Sequence, residues 1–305
     1  MFKHSIDFAL EYGFNTSFGR MFEGWGASGV DLFFVISGFI MVFTQSKNRR
    51  SAYDFLIQRV KRIVPTYWFY STLFVALFVI FPGAFNRFST DFYHALSSFF
   101  FLSRPIFERD PVVGVGWTLE YEMMFYLIFG MSLLAKDNSV SYAVVSLSLT
   151  GLAVLGGTRL IVLEFVLGIL IGILYIHDNE YLKSKISSIS PFFFLVGIIG
   201  LCSSLLVHME VDRFFKWGIP ASFIVLGLLY MSQPSSQILT VLGAASYSIY
   251  LSQCFVIPAF YKVVRLLAPH IDGTVLILAS AFASILTGYL LYRFVEIPLC
   301  KLVKV

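Results

Sequence analysis

The stretch GWTLEYEMMFY, residues 116–126, opens an apolar run that continues to Leu134 and is long enough to cross a bilayer as a helix. Two carboxylates, Glu120 and Glu122, lie inside this run. A charged side chain at the centre of a membrane helix costs about 3 kcal/mol or more unless a partner or water compensates it. The stretch therefore predicts a transmembrane helix with one polar face.

That polar face is defined by helical spacing. Thr118, Glu122 and Tyr126 follow one another at intervals of four residues, so they share one side of the helix. We expect this side to face protein or water and to contribute to a site. In the alternative interpretation, the carboxylates lie at the membrane surface and Trp117 belongs to an interfacial aromatic belt.

Composition places the whole chain among polytopic membrane proteins. Of its 305 residues, 58% are hydrophobic and 13% are charged, whereas soluble domains contain about 25% charged residues. We predict an all-α integral membrane protein, a single domain over residues 1–305 with about nine transmembrane helices. Their length and lack of charge place these spans near residues 29–44, 65–81, 116–134, 140–157, 159–177, 191–207, 215–231, 238–260 and 274–292.

The distribution of charge sets orientation and limits the partners. Basic residues are densest between the first two spans, which places that loop in the cytoplasm. The alternation of spans then puts residues 82–115 outside, and Arg293, Lys301 and Lys304 inside. A net charge of +4 spread over loops does not indicate nucleic-acid binding. The three cysteines lack metal-ligand spacing, so we predict no metal site.

Two charged positions accompany the first two spans. Asp31 opens the first span, where it could simply cap the free backbone N–H groups, while Gly38 would let another backbone approach closely. Arg59 and Arg62 lie at i, i+3 just before Pro65, which we expect to start the second span. They could anchor the chain to anionic lipid or bind phosphates bidentately.

Further polar residues lie in later spans and are predicted to line a substrate cavity. Arg159 and Glu164 fall in the span 159–177, where Glu164 needs a partner and Arg159 could reach the surface. The helix near residue 250 contains several hydroxyl groups and an amide, which could each merely satisfy a hydrogen bond. The cavity set comprises Trp117, Tyr126, Arg159, Glu164, Tyr247, Tyr250 and Gln253.

Histidine is the usual base at neutral pH. Only His4 falls on a helix face that should point into the bundle. The other histidines fall in predicted external segments or at a helix end; they are His94, His177, His208 and His270.

Five short motifs occur in a characteristic order across residues 29–298. They are GVDLFFVISGF from Gly29, RVKRIVP from Arg59, WTLEYEMMFY from Trp117, SYSIYL from Ser246 and VEIP from Val295. Together they resemble acyltransferase family 3, the bacterial integral-membrane enzymes that acylate surface carbohydrates. The first and third motifs most resemble the exopolysaccharide O-acetyltransferase branch.

The resemblance implies ten membrane helices in the bacterial cytoplasmic (inner) membrane. It implies acetyl-CoA as co-substrate and a hydroxyl of a polysaccharide or lipid-linked sugar as acceptor, with no bound cofactor. Because the family places a basic residue upstream of its base histidine, we expect this chain to lack most of the first helix.

The resemblance also implies roles for individual residues. His4 would be the base, and Arg59 and Arg62 match the element linked to acyl-CoA. Glu122 matches the glutamate of the family's Trp-x-Leu-x-x-Glu motif. A carboxylate could orient the imidazole, with Glu122 the first candidate and Asp31 the second.

Two other classes of membrane protein remain as alternatives. A transporter or exporter of a small anionic or carbohydrate substrate would also place charges in its spans. The chain lacks the Gly- or Pro-broken helices in matching halves that many transporters have. A structural membrane protein would not need Glu122, Glu164 and Arg159 inside its spans.

Overall fold

A computed structural model describes residues 1–85, 89–177, 179–206, 210–232 and 235–303. Within these ranges the chain is helical and has no β-strand. Its α-helices are α1 Phe2–Glu11, α2 Ser17–Met21, α3 Gly29–Lys47, α4 Ala52–Ile80, α5 Phe92–Phe99, α6 Ser103–Phe107, α7 Trp117–Ser132, α8 Asn138–Val154, α9 Leu163–Ile176, α10 Glu180–Leu206, α11 Ile219–Tyr230, α12 Gln237–Leu267, α13 Gly273–Leu291 and α14 Ile297–Leu302.

The predicted helical membrane architecture is confirmed, whereas the number of spans stays a prediction. Every predicted span coincides with a helix. Among the described residues, five helices are long and apolar enough to cross a membrane, and three shorter ones are also apolar. Parts of four predictions lie outside the described residues: residues 86–88 of the external segment, Val207 of the sixth span, His208 and Lys304.

The predicted start of the second span at Pro65 is wrong. Helix α4 continues through Pro65, so Arg59 and Arg62 belong to the spanning helix and not to a loop before it. An internal proline removes one backbone hydrogen bond, but membrane helices tolerate it when neighbouring groups compensate. The Tyr247 hydroxyl donates to the carbonyl of Ile63 at 3.0 Å, close to the proline.

Packing divides the chain into two compact units. The first comprises Met1–Gly24, Ile57–Met123 and Ser236–Val305. In it, α1 packs against α12 and α13. Their shared core contains Ile6, Ala9, Phe14, Ile257, Tyr261, Leu276 and Ile277. This packing holds the helix that bears His4.

The second unit comprises Trp25–Leu56 and Met124–Ser235. Its helices α3 and α9 are in close contact. A Cβ atom on Gly38 would lie 2.2 Å from the carbonyl oxygen of Phe165, so only glycine permits this approach. The close backbone contact predicted at Gly38 is therefore confirmed.

Candidate functional site

His4, the candidate base, lies on α1 beside a carboxylate. Its side chain keeps 39% of its surface exposed, and its Nδ1 atom lies 3.8 Å from Oδ2 of Asp7. The Lys3 ammonium binds the same carboxylate. At this separation Asp7 can attract a protonated imidazole without a direct hydrogen bond. Asp7 is not among the predicted site residues, although its i, i+3 spacing from His4 indicates such a pair.

Glu122 is buried in the first unit, near the N-terminal end of α7. Its charge acts on the hydroxyl group of Tyr247, as does that of Glu296. Glu122 thus contributes to the electrostatic environment of Tyr247, and Asp7 lies beside His4. The role of Glu122 in orienting His4 stays a prediction.

The other predicted polar residues of α12 form hydrogen bonds within the protein. The Tyr250 hydroxyl donates to the carbonyl of Val115 at 2.8 Å and lies 3.0 Å from Oγ1 of Thr118. The Gln253 amide donates to the carbonyl of Tyr250 at 2.8 Å. The contacts of Tyr250 support the alternative in which such groups satisfy hydrogen bonds, whereas the amide oxygen of Gln253 is buried without a hydrogen-bond partner among the described residues. Next to them, the Trp117 ring lies 4.7 Å from the Arg104 guanidinium carbon.

The two arginines of α4 differ in exposure. Arg59 is buried, whereas Arg62 is exposed. The charge of Arg62 acts on Glu296, whose carboxylate also accepts a hydrogen bond from the Ser248 hydroxyl at 2.5 Å. Glu296 belongs to the VEIP motif and joins this cluster only in the fold. The arginines are the groups here that could hold a phosphate, and the described residues contain no group of three potential metal ligands.

Asp31 forms a buried ion pair in the second unit. Its Oδ1 and Oδ2 atoms accept hydrogen bonds from Arg213 at 2.9 and 2.6 Å, and Arg213 also donates to the carbonyl of Ala27 at 2.6 Å. Asp31 is therefore held by a guanidinium, and not by the helix N-terminus as the capping alternative supposes. Arg213 is absent from the predicted site because no local pattern links it to Asp31.

The remaining predicted cavity residues, Glu164, Arg159 and Tyr126, belong to the second unit. Glu164 is fully buried, and neither of its carboxylate oxygens has a hydrogen-bond partner among the described residues, so the partner predicted for it is not identified. Arg159 is exposed and precedes the 3₁₀ turn that leads into α9. Tyr126 is buried with its ring edge towards Phe55, at a centroid distance of 6.1 Å.

Comparison with known proteins identifies the family. An acyltransferase domain family matches residues 1–293 of the chain. The exopolysaccharide production protein ExoZ of Rhizobium meliloti (strain 1021) is 32% identical over 303 residues, covering 90% of each chain. No solved structure matches. The motif order, the apolar helices and these matches agree, and the chain belongs to the acyltransferase domain family.

Proposed function

We propose that this protein is a membrane-bound O-acyltransferase. It transfers an acetyl or other small acyl group from acyl-CoA to a hydroxyl of an exopolysaccharide or another cell-surface glycan, in the bacterial inner membrane. Membership of an acyltransferase family supports group transfer. The relative named for exopolysaccharide production supports a glycan acceptor. Within the chain, the observation that carries the proposal is a partly exposed histidine next to a carboxylate.

The chemistry needs one base. A sugar hydroxyl is a weak nucleophile at neutral pH, so His4 takes its proton as the oxygen attacks the thioester carbonyl. The tetrahedral intermediate collapses, the carbon–sulfur bond breaks, and the CoA thiolate leaves and takes up a proton. Asp7 stabilises the imidazolium ion that forms in between. Glu122, buried in the same unit, is the second carboxylate that could do so.

Acyl-CoA, the proposed acyl donor, carries phosphates, so its binding site needs positively charged side chains. Arg62 is exposed next to Glu296, and its guanidinium can bind the phosphates of acyl-CoA. Arg59 lies one turn before it on α4 and is buried.

Substitution of His4 tests the proposal directly. We expect His4→Ala to lower transfer of labelled acetyl from acetyl-CoA to polysaccharide by about 10²–10⁴-fold, the usual loss when a positioned base is removed. The measurement is alkali-released labelled acetate, with the amount of each variant in the membrane checked by blot. His177→Ala is the matched control, because His177 is an exposed histidine at the end of α9. Full activity in His4→Ala would exclude it as the base.

Double variants identify the carboxylate that assists His4. Residues that act as one unit give strongly non-additive losses. If Asp7 assists, His4→Ala with Asp7→Asn should be scarcely slower than His4→Ala alone. The same test with Glu122→Gln examines the alternative carboxylate. Multiplicative losses in both double variants would show that neither carboxylate works through His4.

A further inference from the structure

The short helix α5, which lies between α4 and α7 in the sequence, exposes its apolar side chains and buries its polar ones. Phe92 and Tyr93 are 73% and 71% exposed, and Leu96 is also exposed. His94, Ser97 and Ser98 are instead buried. A surface helix of a water-soluble protein buries its apolar side. Here the apolar side faces outwards, which is the arrangement expected against lipid.

Contacts with α4 place the end of α5 beside the middle of that helix. The indole of Trp68 donates to the carbonyl of Phe99 at 2.9 Å, and the hydroxyls of Tyr67 and Ser98 lie 3.1 Å apart. Trp68 lies about three turns, or about 18 Å, before the end of α4 at Ile80. A hydrocarbon core about 30 Å thick whose outer boundary lies near Ile80 contains Phe99.

Side chains bind backbone groups of the segment that follows α5, including the first N–H groups of α6. Exposed irregular backbone does not occur in hydrocarbon, but it is tolerated where protein groups bind it. Glu120 accepts hydrogen bonds from the backbone N–H groups of Ser103 and Arg104, at 2.8 and 3.1 Å. The Ser98 hydroxyl accepts from the N–H of Val112 at 3.0 Å, and the Tyr250 hydroxyl donates to Val115. Residues 111–113, 115 and 116 are buried.

The chain reverses after α5 through a strained residue. Phe101 has φ 60°, a left-handed conformation that bulky side chains rarely adopt. Its ring stacks on Tyr67 at a centroid distance of 4.6 Å, and only 8% of it is exposed. Such a conformation persists when the surroundings over-determine it. The chain reversal at Phe101 is therefore a fixed part of the fold that packs against α4.

The exposed side of α5 continues the lipid-facing side of α4. Trp68, Leu73 and Val79 are exposed on α4, and the Trp68 ring contacts Phe100 edge-on at 6.5 Å. We propose that residues 92–116 form a re-entrant segment, which enters the membrane from the side at which α4 ends and contacts lipid acyl chains through its apolar side. The sequence alone predicts that residues 82–115 lie outside, and the proposal places the part from residue 92 onwards in the membrane.

Spin-label accessibility tests the re-entrant segment. In a chain with Cys202, Cys254 and Cys300 replaced by alanine, single cysteines at Leu96 and Phe100 carry a nitroxide in lipid vesicles. We expect both labels to be relaxed strongly by oxygen and weakly by a water-soluble nickel complex, as at the lipid control Leu73→Cys. The water control His270→Cys, in the exposed loop between α12 and α13, should show the reverse.

Two results would overturn the proposal. Labels at Leu96 and Phe100 that the nickel complex relaxes as strongly as at His270 would show a segment exposed to water. Labels shielded from both agents would show a protein contact, including one with a second copy of the chain. Phe100→Trp in the chain with its natural cysteines gives an independent measurement. Acyl-chain-brominated lipids should quench the added fluorescence, and aqueous iodide should not.

Discussion

Arg62 is the residue at which donor binding is most cleanly tested, because it is exposed and Arg59 is not. Exposed charges contribute little to stability, so Arg62→Ala should fold normally. A charge-assisted hydrogen bond is worth about 1.5–3 kcal/mol, so its loss should raise the KM for acetyl-CoA about tenfold or more.

Steady-state kinetics with acetyl-CoA, compared with the exposed control Lys47→Ala, check this expectation. An unchanged KM in Arg62→Ala would favour the alternative in which the arginines anchor the chain to lipid. Truncating Arg59 is less informative, since a buried side chain also contributes to packing.

Asp31 and Arg213 form an ion pair in which Asp31 has no exposed surface and Arg213 keeps 25% of its own. Removing one member of a buried pair costs about 3–5 kcal/mol, because the other charge loses its compensation. We expect Asp31→Ala to lower the unfolding temperature in detergent clearly, and Asp31→Ala with Arg213→Ala to lower it by less than the sum of the single effects.

Activity per folded molecule separates this structural role from a catalytic one. A structural ion pair predicts that Asp31→Ala keeps most of its acetyl transfer once corrected for folded protein. Loss of activity with unchanged thermal stability would instead make Asp31 a member of the catalytic site.

At the scale of elements, glycines decide how closely two helices pack. A Cβ atom on Gly38 would meet the Phe165 carbonyl oxygen of α9, whereas a Cβ atom on Gly151 of α8 would meet nothing within 4 Å. We expect Gly38→Ala to destabilise the protein by about 1–3 kcal/mol through overpacking. Gly151→Ala should be neutral or stabilise by up to about 1 kcal/mol, since alanine is the better helix former.

Thermal unfolding of the purified variants in one detergent checks whether the two substitutions change the stability in opposite directions. Equal effects of the two substitutions would show that helix propensity, and not the contact between α3 and α9, determines the outcome.

At the scale of the whole molecule, the membrane topology decides which loops face the cytoplasm and which face the outside. Lysine and arginine concentrate between the first two spans, which indicates the cytoplasmic side. Reporter fusions after Arg50 and after Val305 should be active in the cytoplasm, and a fusion at Asp91 should be active outside. Asp91 precedes α5, so a re-entrant segment leaves this expectation unchanged.

A pair of reporters, each active on one side of the membrane only, makes the measurement. A fusion after Lys136 serves as a further cytoplasmic control. Cytoplasmic activity at Asp91 would contradict the assignment of the spans.

The sequence by itself determined the helices and the family of this protein. Apolar length and the exclusion of charge are local properties, so each predicted span coincides with a helix. The close approach at Gly38 was equally predictable, since a missing side chain has a local meaning. The pair of His4 and Asp7 also lies within one turn of a helix, and its i, i+3 spacing could have indicated it.

Only the tertiary structure decided which partners the buried charges have. Arg213 lies 182 residues from Asp31, and Glu120 binds backbone groups of α6 that precede it by 16 and 17 residues. Helix α4 likewise continues through Pro65, against the local preference for a helix start. Such pairings depend on how helices pack against each other, and a local sequence pattern does not contain that information.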